Sequence, residues 1–512
     1  MVLLYIIISI VLFSLLFQIL NNRILQKIFY VISVLFVLIV YFIFARYSYL
    51  PQFFYPNAEQ KIRTTFYEKQ QACKLDSKYK PLLNSILKGH VFLFTSDQYP
   101  KLKHPDIYNV YPAIASTDLD LYLMFDMSYY KDKIYLYFGI TPMLTFYLPY
   151  YIATKTFLSD QLLVFLLTSV IFIFSILILK VFISHTRLQI PFYIKILSVF
   201  IVGFANYSLF LLTRPELYEV CVAGAAFFFI FVLFIIAKNE KLSYLNLFVI
   251  GLFSALAVGC RPNYVLCIPL IFSFIILSLI ENKITKKEIL IKIGVFLIPC
   301  VLYGAFLAFY NYIRFDSIFE FGFKYQLNKN YVNMNGIINY SVQFSEMFNN
   351  LMIYLFQKPE ILDKFPFFSS VQIPKKECMV GSFFMFPLMF IIFYFVFVWK
   401  KYKKNIKNVF YFNNVFIILF LLFLIGLFVS SIIGIVQRYV FEYMYVLILL
   451  SLVSFYIYYS FTKHKKLVLS FFTVMFIWTI YINFSVVLCS NNAQLYAYTN
   501  PDFYNSVINF LK

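Results

Sequence analysis

Blocks of roughly 20 consecutive apolar residues recur along almost the whole chain, and they restrict its fold more than any other feature. A helical run of that length matches the hydrocarbon thickness of a bilayer, about 30 Å. In hydrocarbon every backbone N–H and C=O must be satisfied within the protein, which leaves helices or closed barrels. The uninterrupted runs lack the alternation that a barrel strand needs. Twelve blocks read as spans: 2–20, 28–47, 161–184, 196–213, 217–237, 244–259, 263–281, 291–310, 381–399, 409–434, 439–461 and 467–489. Only 13% of the 512 residues are charged, about half the share of an ordinary soluble domain. The expectation is an all-α integral membrane protein with about 12 transmembrane helices, a single polytopic domain over 1–512. A first outer loop, 48–160, carries juxtamembrane helices, and a second covers 311–380. No internal repeat or second soluble domain is visible.

The formal net charge of +20 would suit a nucleic-acid binder, but its placement excludes that partner. The basic residues sit in short loops between apolar blocks: Arg23/Lys27, Arg187/Lys195, Lys238/Lys241, Lys283/Lys286/Lys287, Lys400–Lys407 and Lys463/Lys465/Lys466. That is the positive-inside pattern of a multi-pass plasma-membrane protein. Among the acids, only Glu240, Glu281 and Glu288 share those loops. A thirteenth apolar block, Ile134–Phe157, contains Gly139, Pro142 and Pro149. Counting it as a span would move the first basic loop to the side opposite the other five. It is therefore expected to be an interfacial helix or helix pair on the outer leaflet, with both long loops and both termini outside. Val2–Leu20 lacks a basic start and a small-residue cleavage site, so it is expected to be a retained helix. The seven cysteines show no metal-type spacing. Cys73 and Cys378 both fall in outer loops, compatible with a disulfide.

The first outer loop concentrates ten acids, among them Asp76, Asp118, Asp120, Asp126 and Asp132. Asp76 opens a stretch in which Tyr79, Leu82, Leu83, Ile86 and Leu87 fall at helical spacing. Asp76 is thus either the N-cap of an amphipathic helix or a reactive carboxylate. Asp126, in the FDMSYYKD stretch, is a second candidate acid, with a solvated loop carboxylate as its plain alternative. Asp118 and Asp120 would share one side of an extended segment and are compatible with a divalent metal. Arg214, Arg261, Arg314 and Arg438 all fall at span ends, where ionisable groups are either functional or snorkel to the interface. Arg214 can pair with Glu216, and Arg314 with Asp316 or Glu320. Tyr79, Tyr108, Tyr111, Tyr129 and Tyr130 are candidates to stack against the ring of a bound ligand; membrane belts and helix packing account for most of the 67 Phe and 44 Tyr.

Several motifs together resemble the GT-C glycosyltransferases, of the protein mannosyltransferase and aminoarabinose transferase type. They are Asp76-Ser-Lys-Tyr79 followed by Leu87-Lys-Gly89, then Tyr137-Phe-Gly139-Ile-Thr-Pro142, Gly259-Cys-Arg261-Pro262-Asn263, Asn311-Tyr-Ile-Arg314 through Gly322, and Gln437-Arg438-Tyr439. The resemblance departs from the family where Ser77 follows the first Asp in place of Glu, and where Gly139-Ile-Thr-Pro142 replaces a Lys-Pro-Pro pattern. It implies an inverting membrane enzyme that moves a sugar from a polyprenyl-phosphate donor to an envelope glycan, lipid or protein. Asp76 would be the base, with Asp126 supporting it. Arg261 and Arg438 would hold the donor phosphate, with Arg214 and Arg314 as further candidates. A flippase or transporter would instead want repeats and mid-span charges. A non-catalytic membrane scaffold is the remaining alternative.

Overall fold

The computed structural model describes residues 2–19, 22–46, 77–108, 110–111, 121, 124, 126–239, 241–282, 284–327, 344–363, 365–374, 377–395, 409–489, 505–507 and 509. Asp76, Cys73, Asp118 and Asp120 lie outside them. The helices are α1 (Val2–Ile19), α2 (Arg23–Arg46), α3 (Tyr79–Leu87), α4 (Leu148–Thr154), α5 (Asp160–Thr186), α6 (Phe192–Phe204) and α7 (Ser208–Thr213). There follow α8 (Leu217–Lys238), α9 (Tyr244–Cys260), α10 (Cys267–Glu281), α11 (Lys286–Phe315), α12 (Phe344–Phe356), α13 (Val409–Ile433), α14 (Val440–Phe461) and α15 (Lys465–Cys489). Among the described residues, 8 helices are long and apolar enough to cross a membrane. The chain is a mostly helical, multi-pass membrane protein.

Small polar side chains set several helix starts. Asn22 Oδ1 accepts from the backbone N–H groups of Ile24 and Leu25 at 3.0 and 3.1 Å. This cap draws Arg23 and Lys27, expected in a loop, into α2. Ser159, Ser243 and Thr285 likewise accept from the third residue onward at the starts of α5, α9 and α11, each supplying an orphan helix donor with an acceptor.

Burial sorts the bundle radially. The apolar window of α14 is 100% buried and that of α8 is 78% buried, whereas α11 is only 17% buried. α14 is therefore the central post. The outward faces of α2 and α11 present Ile24, Val31, Ile39, Val301, Leu302 and Phe309, an apolar surface far larger than a water-soluble monomer exposes and suited to lipid.

Two expected spans are broken. The block at 196–213 is divided between α6 and α7 by a turn in which Tyr207 takes φ 64° and Asn206 Oδ1 accepts from Ser208 N at 2.9 Å. Ahead of residue 396, the block at 381–399 is interrupted at Pro387, which lacks the N–H to continue a helix, leaving short turns at Ser382–Met385 and Pro387–Met389.

The Ile134–Phe157 block is also not one helix. Lys133–Leu136 forms strand β3 of an antiparallel sheet ordered β1–β3–β2, with β1 at Phe94–Thr95 and β2 at Met127–Tyr130. Only the second half is helical, through a π-helical turn at Met143–Tyr147 into α4. The strand wins at the first half because Ile134, Tyr135 and Leu136 are all buried in a sheet packed against the bundle. This sheet caps one end of the helices. An isolated bridge from Ser128 to Gln326 ties in the start of the second long loop.

Candidate functional site

Arg214, Arg261, Arg314 and Arg438 all reach the sheet-capped end, because helices joined by short turns alternate in direction. Arg214 precedes α8, Arg261 follows α9, Arg314 closes α11 and Arg438 precedes α14.

Aromatic rings join two of these arginines to an acid. The Arg261 guanidinium lies 4.7 Å from the centre of the Tyr439 ring, and Arg438 lies 5.5 Å from the same ring. Arg438 also sits 4.4 Å from the Tyr218 ring. The Tyr218 hydroxyl donates to Asp126 Oδ2. Stacking of this kind suits arginine, which is planar and weakly hydrated. Asp126 is therefore no solvated loop carboxylate. It is buried, takes the left-handed region at φ 63°, and accepts a second bond from Gln326 Nε2 at 2.9 Å. Its own N–H donates to Leu327 O at 2.8 Å. Both long loops thus hold this one acid in place.

Each clustered arginine has a carboxylate. Glu442 Oε1 lies 2.7 Å from Arg261 Nη2 and accepts from Nε at 2.8 Å, while its other oxygen accepts from Asn263 Nδ2 at 2.5 Å. Arg214 pairs with Glu216 at 3.2 Å. Burial opposes the Arg214 charge, but Glu216 and Glu219 outweigh it and hold this guanidinium above the usual arginine range. Arg438 pairs with Glu377 at 3.3 Å. Lys78, two residues after Asp76, is pulled below the usual lysine range by burial, against the opposing pull of Asp126 and Glu216; its electrostatic partners place it in the same cluster.

Arg314 is not part of this cluster. Its guanidinium donates to Leu136 O at 2.9 Å and to Asn311 Oδ1 at 2.8 Å. It lies 4.0 Å from the Tyr310 ring and 4.7 Å from that of Phe315. Among the described residues it forms no ion pair with Asp316 or Glu320, and Asp316 is taken by Lys131 at 2.6 Å. Arg314 thus pins strand β3 to the end of α11.

The tyrosines divide as well. Tyr79 is fully buried, stacked on Tyr147 at 4.9 Å, with its hydroxyl donating to Gly139 O at 2.9 Å. Tyr111 is also fully buried, with its hydroxyl on Leu121 O at 2.5 Å. Neither offers a face to a sugar. Tyr108 donates to Tyr129 O at 2.5 Å. Tyr129 and Tyr130 lie on β2 and are partly exposed; their hydroxyls donate to Asp132 and Asp316, each at 3.0 Å. Burial, then the hydrogen bond and charge of Asp132, raise the Tyr129 phenol above its usual range.

The motif glycines explain how the cap seats. A Cβ on Gly139 would fall on the carbonyl oxygen of Gly259, and a Cβ on Gly259 would fall on Thr141 Oγ1. The Gly139-Ile-Thr-Pro142 turn therefore packs backbone to backbone against the turn that carries Arg261. The start of α3 is closed by Ser77, whose Oγ accepts from Tyr79 N at 3.1 Å, so this helix begins three residues past Asp76. Cys378 Sγ lies 3.0 Å from Gln372 Oε1. Among the described residues, no group of three or more His, Cys, Asp or Glu is placed to hold a metal ion.

The sequence-based candidates omitted Lys78, Tyr218, Glu219, Glu377 and Glu442, and named Glu216 only as a partner for Arg214. The signal for two of them was present: Glu216-Leu-Tyr218-Glu219 sets two acids at the mouth of an apolar span, an expensive placement. No protein-family model matches the chain, and no curated protein or solved structure is similar to it at a significant level.

Proposed function

We propose that this chain is a membrane glycosyltransferase with a GT-C-type bundle of about 12 spans. Its capped end would face the outside of the plasma membrane. The donor is a polyprenyl-phosphate sugar, and the acceptor is an envelope glycan, lipid or protein hydroxyl. One observation carries this reading: Asp126, Tyr218, Arg438, Tyr439 and Arg261, spread over three hundred residues of sequence, form one continuous line at the capped end. A carboxylate beside stacked guanidiniums is what the transfer needs. The acceptor oxygen forms a bond to the anomeric carbon, its proton passes to a carboxylate, and the bond to the donor phosphate oxygen breaks with its electron pair. The phosphate gains negative charge in that step, and preplaced cations stabilise it. Asp76 is the proposed base, on the resemblance of its motif, and Asp126 orients the acceptor. Among the described residues, Arg187, Lys238 and Lys463 lie at or just past the ends of α5, α8 and α14 remote from the cluster, which would suit a cytoplasmic face under the positive-inside rule.

The test is transfer by purified protein supplied with a polyprenyl-phosphate sugar pool. Asp76→Asn and Asp126→Asn should each lower the rate by about 10²-fold or more while the protein still purifies as a folded species. Wild-type protein that leaves the donor pool intact would reject the enzyme reading. The complete pairing of Arg214, Arg261 and Arg438 with acids favours the scaffold as the alternative: there the network only locks the bundle end, and both variants would change stability alone.

A further inference from the structure

We propose that the Glu377 carboxylate is an internal stand-in for an anionic ligand, seated in a phosphate-type subsite built from Arg438 and the start of α14, and that the ligand displaces it. This deepens the reading above and rests on it for which anion arrives; the subsite itself stands on geometry. Glu377 Oε2 accepts from the backbone N–H of Gln437 at 2.8 Å, and Oε1 accepts from Arg438 Nη1 at 3.3 Å. A helix start offering N–H groups beside a guanidinium is a general anion receptor. Gln437 adds a further donor. The residue is 4% exposed, and its Nε2 has no hydrogen-bond partner among the described residues, an expensive state for a buried amide.

The three ion pairs differ in how firmly they are held. The side chains of Glu442 and Glu216 are 3% and 9% exposed, and that of Glu377 is 36% exposed. Glu377 also makes the longest of the three pairs. Arg214 and Arg261 are both within electrostatic reach of Arg438, so the subsite sits in a field of three guanidiniums. A phosphate replacing Glu377 would keep the Gln437 N–H and Arg438 contacts, offer more oxygens than a carboxylate to Gln437 Nε2, and release Glu377 to solvent. The inner pairs are too deeply buried for that exchange, because stripping one partner from a buried pair is costly. The second long loop therefore carries its own competitor for the site.

The experiment is calorimetric titration of the full-length protein in detergent with two probes, inorganic phosphate and farnesyl phosphate. Glu377→Gln removes the charge and keeps an oxygen for Gln437 N. It should bind farnesyl phosphate at least about tenfold more tightly than wild type, and adding Arg438→Gln should erase the gain. An equal gain for inorganic phosphate would assign the site to free anions as well; a gain confined to farnesyl phosphate would assign it to lipid headgroups. Both outcomes support the subsite. Unchanged or weaker binding of both probes would overturn it. Glu377→Ser, whose hydroxyl can still accept, is the second variant. Loss of the folded protein in both would mark Glu377 as a structural partner and overturn the proposal equally. Tighter binding without any sugar transfer would leave the subsite standing and reject the glycosyltransferase reading.

Discussion

Arg314 and Arg438 occupy comparable places, each at the end of a long apolar helix on the capped side of the bundle, yet their partners differ in kind. Arg314 is 4% exposed and spends its donors on a strand carbonyl and an amide, between aromatic rings. Arg438 faces a half-open carboxylate and rests on two tyrosines that lead to a buried acid. A guanidinium whose partners are backbone and ring faces works as a rivet. One whose counter-ion is exposed and exchangeable can receive a ligand. Position at a span end does not separate the two cases; the identity and burial of the partner do.

The sharpest way to break both regions at once is Gly139→Ala. The new Cβ would meet the Gly259 carbonyl, backbone that cannot swing aside, so the cap must lift from the Arg261 turn. Overpacking of this kind costs about 3 kcal/mol or more. The expected outcome is a large loss of thermal stability and of farnesyl phosphate binding together. Retention of either would mean that the cap and the cluster are not seated by this contact.

Arg314→Ala against Arg438→Gln tests the contrast directly. Removing Arg314 strands the Leu136 carbonyl and the Asn311 side chain and leaves a void under β3, for about 3 kcal/mol. Thermal unfolding should move strongly, and the anion affinity of the surviving folded protein should stay near wild type. Arg438→Gln should reverse the pattern, because its partner Glu377 is exposed enough to be hydrated: little change in unfolding and a loss of anion binding of about tenfold or more. Matching profiles for the two variants would dissolve the distinction.

The apolar blocks made the helices legible, since hydrocarbon length and composition act locally. The site was legible in part: Arg261 and Arg438 were marked because charges at span ends are expensive, and Asp126 because it sits among the acids of the first outer loop. Their partners were not. Glu442 meets Arg261 across 181 residues and Glu377 meets Arg438 across 61, and no periodicity records such pairing. The strand at Lys133–Leu136 was hidden because all of its apolar residues are buried, so it lacks the alternation of a one-faced strand. The break at Asn206 was hidden because a single side-chain acceptor outweighed a strongly apolar window. Tyr79 looked available for stacking because it sits on a loop helix, but loop helices also bury a face.

The smallest expected effect lies at the rim of the cap, where Tyr130 and Lys131 hold Asp316. The Lys131 hydrogen bond, then that of Tyr130, hold the Asp316 carboxyl below the usual aspartate range. A depressed acid stabilises the fold above its unfolded pKa, and that contribution fades as pH falls through the lower folded value. Asp316→Asn should therefore unfold slightly earlier than wild type at neutral pH, by no more than about 2 °C, because exposed pairs are weak. The difference should shrink once pH drops below about 4. Thermal unfolding of both proteins from pH 7 to pH 3 measures it, and high salt should flatten the difference at every pH. A gap that persists at pH 3 would mean that Asp316 holds the rim through hydrogen bonding that its amide cannot copy, not through charge. The rim would then belong with the Arg314 rivet, not with the exchangeable ion pairs.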